Sequence, residues 1–200
     1  MKLFFAPGTC ALAPHIVLHE LGIPHDSQKV NLQTKELDGG GDYRAINAKG
    51  YVPALQLDNG ELLTEGPAIM QYLADMAADN HGLLAPCGQL ARYHTVEWLN
   101  FISSEMHKNY GALFNPHGSD EMRAQAYSTL KKRYEYTEAQ LAGKEYLTGS
   151  QYTLADVFFY VVTDWAGHVK FDLAPFPQVR ALHARVAARP AVQAARQHQR

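Results

Sequence analysis

Every strand-forming stretch of this chain falls before residue 65 and everything beyond residue 88 reads as helix, so it divides into a mixed half and an all-helical half. The apolar run Met1 to Phe5 suits a buried strand, and Ala13 to Gly22 suits a helix that Gly22 stops. A second strand is expected at Gln28 to Leu32. Thr34 to Ile46 is weakly helical and broken by Gly39-Gly40-Gly41, which predicts an irregular segment. Val52 to Leu57 and Leu62 to Thr64 flank Asp58-Asn59-Gly60-Glu61, a hairpin signal in which Asn-Gly favours a primed turn. A helix starts near Gly66, with Ile69, Tyr72, Leu73 and Met76 on one face. This half spans residues 1–79. Residues 80–88, with Asn80-His81-Gly82 and Ala85-Pro86-Cys87-Gly88, predict a linker. Residues 89–200 predict a helical domain with helices at Gln89 to Leu113, Asp120 to Leu141, Thr153 to His168 and Pro177 to Ala188.

Two hundred residues are enough for two domains with cores of their own, and 18 basic against 20 acidic residues leave a formal charge of −2. Such a balance supplies no field to recruit nucleic acid or an anionic membrane, so a small-molecule partner is expected. No apolar run has the length of a membrane span, and the first residues lack the basic and long apolar regions of a signal peptide. Two distant cysteines, Cys10 and Cys87, suit a reducing compartment. A soluble cytoplasmic protein is the expectation.

Cys10 follows the turn Pro7-Gly8-Thr9, between the first strand and the first helix. A thiol at a helix amino terminus meets unsatisfied N–H groups and the positive end of the helix dipole, which predicts a stabilised thiolate. Cys10-Ala11-Leu12-Ala13 has no resolving sulfur, so Cys10 must work with an external thiol. In the helical half, Glu97, Asn100, Ser104, His107 and Gly111 recur at spacings of three and four and form a polar stripe, while Leu99, Ile102, Met106 and Tyr110 form an apolar one. The polar stripe reads either as a solvated face or as one turned to a ligand, with Gly111 leaving space and Lys108 adding positive charge. Thr153-Leu154-Ala155-Asp156 resembles a capping box, which gives Thr153 and Asp156 structural roles. Leu154, Val157, Phe158, Val161 and Trp165 behind it form a core stripe.

Taken together, Cys10 after its Pro-Gly turn, Lys49-Gly50-Tyr51-Val52-Pro53-Ala54-Leu55, Leu63-Thr64-Glu65-Gly66, Glu97-Trp98-Leu99-Asn100 and Glu105-Met106-His107-Lys108 resemble the bacterial beta-class glutathione transferases. The resemblance runs from Met1 to Ala188-Arg189-Pro190. It implies an α/β plus all-α architecture, in which a thioredoxin-like domain with a four-stranded mixed sheet and three helices precedes a helical bundle. It implies a homodimer that uses glutathione as co-substrate, with no tightly bound cofactor and no metal. Cys10 and His107 are then the catalytic pair, Cys10 beside the glutathione sulfur and able to form a mixed disulfide with it. Lys35, Val52, Glu65, Gly66, Asn100, Ser104, Glu105 and Lys108 are implied to bind glutathione. Pro53 is implied to follow a cis peptide bond that turns the Val52 backbone toward the tripeptide. The other nine histidines are read as surface or packing residues.

Two departures from the family pattern stand out. Ala11 replaces a frequent serine, which removes a hydroxyl near Cys10, and Tyr51 replaces a frequent polar residue. Tyr110, Phe114 and Trp165 are expected to wall an apolar acceptor pocket. The activity implied is attack of the glutathione thiolate on a hydrophobic electrophile. The alternatives are a glutathione-dependent thiol-disulfide reductase and a non-catalytic binder of apolar ligands.

Overall fold

The computed structural model describes residues 1–199, which form two compact units. The first unit contains Met1–His81 and the segment from Arg189 onward. Its sheet has the order β2-β1-β3-β4. β1 (Lys2–Phe5) runs parallel to β2 (Asp26–Lys29) and antiparallel to β3 (Ala54–Gln56), which pairs antiparallel with β4 (Leu62–Thr64). A parallel neighbour needs a crossover, and α1 (Leu12–Glu20) supplies it between β1 and β2. Leu3 opposes Leu55 in register, and both are fully buried. Phe4 points to the other face, where Val30, Tyr43 and Ala54 complete a second core layer. Leu12 through Leu18 of α1 are all buried, as expected of a helix covered by neighbours, here α2 (Gly66–Met76) and α8 (Pro190–His198).

Several sequence expectations shift. The second strand lies at Asp26–Lys29, not Gln28 to Leu32, because its pairing with β1 ends at Lys29. Thr34 to Ile46 holds only a short 3-10 turn, Tyr43–Ala45, with isolated bridges Val30 to Leu37 and Glu36 to Asp42. Positive φ at Gly39, Gly40 and Gly41 keeps that stretch out of the helical region. The hairpin turn is not primed. A primed Asn-Gly turn needs positive φ at both residues, and here only Gly60 has it, with Gly60 N–H bonded to Leu57 O at 3.0 Å. The segment after Arg189, expected in the helical domain of residues 89–200, packs as α8 on α1 in the first unit. The Arg189 guanidinium grips the Glu20 carboxylate at 2.6 and 2.9 Å, joining the end of α1 to the start of α8.

The second unit, Gly82–Ala188, contains α3 (Leu90–Phe101), a π-helical segment (Ile102–His107), α4 (Lys108–Phe114), α5 (Asp120–Gln140), α6 (Leu154–Asp164) and α7 (Pro177–Ala187). α6 is its core, with Leu154 through Thr163 all buried. Asp156 is fully buried and accepts from Leu147 N–H at 2.8 Å, Thr153 N–H at 2.8 Å and Thr153 Oγ1 at 3.0 Å, and with Thr153 it forms a capping box at the start of α6. The Glu138 carboxylate of α5 caps α7 by accepting from Gln178 and Val179 N–H, both at 2.9 Å. No helix among the described residues is long and apolar enough to cross a membrane.

Candidate active site

In the first unit, the segments that the sequence singles out converge on the end of β1. Cys10 sits just before α1, and its Sγ lies 3.7 Å from the carbonyl oxygen of Val52. The Val52-Pro53 peptide is cis. The carbonyl of Tyr51 accepts hydrogen bonds from Tyr43 Oη and Asn47 Nδ2, both at 2.8 Å, so two buried residues fix the backbone leading into Val52. Lys35 Nζ donates to Gly50 O at 3.0 Å, just upstream of the same segment. Tyr51 itself is 69% exposed.

Gly66 opens α2 and is buried, with Pro67 behind it in the first turn. Glu65 precedes it at φ 71° and ψ 114°, and Lys35 has φ 64°. Left-handed backbone at non-glycine residues is sparsely populated and clusters at ligand sites. No side chain caps α2, so its first N–H groups face outward beside the Glu65 carboxylate. Lys49 Nζ pairs with Glu65 at 2.9 Å and donates to Thr64 Oγ1 at 3.1 Å. Lys49 has no assigned role in the sequence reading. Nor do Tyr43 and Asn47, which act on the site only through the Tyr51 backbone.

The expected acidity of Cys10 is reversed. Burial pushes its thiol up to about 11, against which a hydrogen bond from its own backbone N–H acts weakly, and the Glu65 charge adds to the rise. Cys10 is therefore a protonated thiol at neutral pH. Desolvation is the largest effect, and it outweighs the position of Cys10 beside the start of α1.

In the second unit, His107 ends the π segment, with its ring 5.0 Å from that of Trp165 and 6.2 Å from that of Phe158. The apolar stripe of Leu99, Ile102, Met106 and Tyr110 is buried, while Asn100, Ser104 and Lys108 are exposed. The π turn interrupts the single helix expected from Gln89 to Leu113. Ser104 Oγ donates to Asn100 O at 3.0 Å and Asn109 Nδ2 to Glu105 O at 2.7 Å, satisfying carbonyls along the loosened ladder. The Glu105 carboxylate is held by Arg133 of α5 at 2.6 and 2.9 Å, a partner within its own chain. A Cβ at Gly111 would meet nothing within 4 Å. The three rings expected to wall an acceptor pocket pack on one another, Tyr110 stacked on Phe114 at 6.4 Å and edge-on to Trp165 at 5.8 Å, with Phe114 edge-on to Trp165 at 5.7 Å; Tyr110 and Trp165 are buried, the Tyr110 hydroxyl 2.8 Å from that of Tyr134, and Phe114 is exposed.

A thioredoxin-like unit with a cysteine at its first strand-to-helix turn and a cis-proline loop, joined in sequence to an all-helical unit, defines the class of two-domain glutathione transferases. Residues 8–76 match the family described as Glutathione S-transferase, N-terminal domain, and residues 101–190 match Glutathione S-transferase, C-terminal domain. The chain is 45% identical over 193 residues to glutathione S-transferase GstA of Escherichia coli O157:H7, covering 96% of both chains. It superposes on BphK, a bacterial glutathione S-transferase solved as a ternary complex, with a TM-score of 0.97, 44% identity and coverage of 100% and 99%. A beta-class enzyme of Sphingomonas chungbukensis gives a TM-score of 0.95 at 41% identity, covering 100% of this chain and 98% of that one. The chain belongs to the glutathione S-transferase family, and its likeness is to the bacterial beta class.

Proposed function

We propose that the protein is a glutathione S-transferase that joins the thiol of glutathione to a hydrophobic electrophile, with Cys10 beside the sulfur and not itself the attacking group. The observation that carries this reading is the Cys10 thiol set 3.7 Å from the Val52 carbonyl of the cis-proline loop; burial also pushes that thiol up to about 11, which makes it a poor nucleophile at neutral pH. The attacking sulfur is then that of glutathione. The Val52 backbone suits the cysteinyl residue as an added antiparallel strand. The amino terminus of α2 with Glu65 and Gly66 suits the γ-glutamyl group, whose carboxylate takes N–H donors and whose amine takes the Glu65 carboxylate. Lys35 suits the remaining carboxylate. His107 is assigned as the hydrogen-bonding or proton-accepting group, a role that suits an imidazole. Asn100, Ser104, Glu105 and Lys108 are assigned as further glutathione contacts, by resemblance to the family.

The protein works as a homodimer in the cytoplasm, where reduced glutathione is plentiful and its two free cysteines stay reduced. Glutathione-dependent disulfide reduction is a second activity, favoured by one observation: Cys10 is a free thiol with no second cysteine in Cys10-Ala11-Leu12-Ala13, so a mixed disulfide with glutathione would be resolved by an external thiol. The test compares conjugation of a chlorinated nitroarene with reduction of a glutathione mixed disulfide in the parent, Cys10→Ala and His107→Ala. Cys10→Ala is expected to keep most conjugation and lose reduction, and His107→Ala to lose about 10-fold or more in conjugation. Absence of both activities in the parent would leave the binder reading instead.

A further inference from the structure

Four histidines gather in the first unit, away from the thiol chemistry. His15 and His19 lie one turn apart on α1, His25 follows that helix, and His198 ends α8. Their ring centroids are 5.2 Å apart for His15 and His19, 4.8 Å for His15 and His198, and 5.1 Å for His15 and His25. One ring nitrogen each from His15, His19 and His198 falls within 4.8 Å of the other two. His19 is nine residues along from Cys10, roughly 13 Å of helix at about 1.5 Å per residue.

Three buried ring nitrogens in this group lack partners among the described residues. Nε2 of His15, His19 and His25 is buried with no hydrogen bond among the described residues. Buried imidazole nitrogens without partners are costly for a protein interior unless something binds them. The Nδ1 edges of His15 and His25 have polar neighbours. His25 Nδ1–H donates to Ile23 O at 2.9 Å, which leaves the Nε2 lone pair free. The Gln199 amide nitrogen lies 3.1 Å from His15 Nδ1, a contact whose donor and acceptor depend on the imidazole tautomer. His198 Nε2 is 2.9 Å from Ser27 Oγ. An open cavity of about 590 Å³ beside His25 and His198 is also lined by Asp26, Asp38, Lys2 and Lys29.

We propose that His15, His19 and His198, with His25 beside them, bind a single divalent transition-metal ion, zinc or a neighbour such as cobalt, that fastens α8 to α1. All-imidazole donors select ions of this class over magnesium or calcium. An ion at the centre of a triangle 4.8 Å on a side is about 2.8 Å from each corner, so each ring closes in by under about 1 Å to reach a Zn–N bond of about 2.0 Å. A metal is the partner that the sequence reading leaves out, although His15 and His19 already show the i, i+4 spacing of a helical chelate.

The test uses the full chain without a polyhistidine tag, stripped with a chelator and titrated with zinc by calorimetry and with cobalt by visible absorption. One ion per chain is expected, with a raised melting temperature, slower amide exchange in α8 and the absorption of tetrahedral cobalt. His19→Gln and His198→Gln, checked for parent-like melting without metal, should each weaken binding by at least about 10-fold. His94→Gln, on the exposed surface of α3, should leave it unchanged. No zinc binding at 1:1 up to about 1 mM, or binding that both cluster variants leave within about twofold, would overturn the proposal. Neither result depends on transferase activity.

Discussion

At Cys10 two local fields oppose one another, and burial outweighs the helix terminus. Iodoacetamide modification of Cys10, followed by peptide mass spectrometry, should therefore keep accelerating beyond pH 10. A rate that levels off by about pH 8 would mean a thiolate in the resting protein. Asp156 is a second buried acid, held up at about 6 by burial despite the hydrogen bonds it accepts from Leu147 and Thr153. The folded chain thus binds a proton that the unfolded chain has released between pH 3.8 and about 6, so this group's contribution to stability falls as pH rises through that window. Urea midpoints across the window should show that decline in the parent, and Asp156→Asn, which cannot ionise, should flatten it. Asp156→Ala strands two buried backbone donors and should cost about 3 kcal/mol, read as a lower melting temperature. The capping box was legible in four residues of sequence. The raised Cys10 thiol was not, because the neighbours that act on it, the Val52 carbonyl and the Glu65 charge, are 42 and 55 positions away, whereas the helix terminus is a local signal.

Among the elements, the π segment and α8 show where sequence patterning stops being informative. Leu99, Ile102, Met106 and Tyr110 are buried as their spacing predicts, yet nothing in composition marks the wider turn at Ile102–His107. The turn is recognisable afterwards, through Ser104 and Asn109, whose side chains bond to carbonyls four residues back. α8 went unassigned because its apolar positions are few and its anchors are polar: Arg189 on Glu20, and His198 and Gln199 beside Ser27 and His15. A bidentate, partly shielded Arg189–Glu20 pair should be worth more than an exposed one. Arg189→Ala is expected to destabilise by about 1–2 kcal/mol and to raise amide exchange throughout Pro190–His198 while leaving α5 and α6 protected. Uniformly faster exchange would place the effect on global stability instead.

For the whole molecule, the division into a mixed and a helical half was legible from one change in periodicity near residue 80, but the return of the chain to its first unit after residue 188 was not. Packing across such a sequence distance leaves no local mark. The same holds for surfaces that the chain itself does not cover. Leu90 is 69% exposed and Tyr93 51% exposed, one turn apart on α3, while Tyr72 and Met76 are exposed on α2 of the other unit. Large apolar side chains at such exposure suit contact with a second copy, as the proposed homodimer requires. The chain has a mass of 22.3 kDa, so sedimentation velocity of the parent should give about twice that mass at micromolar concentration. Leu90→Glu places a charge where the partner copy is expected to exclude water, and should move the species to 22.3 kDa with the melting temperature of the monomer little changed. A parent that sediments at 22.3 kDa, or a Leu90→Glu variant that stays at twice that mass, would place the interface elsewhere or remove it, and would return Leu90 and Tyr93 to ordinary exposed surface.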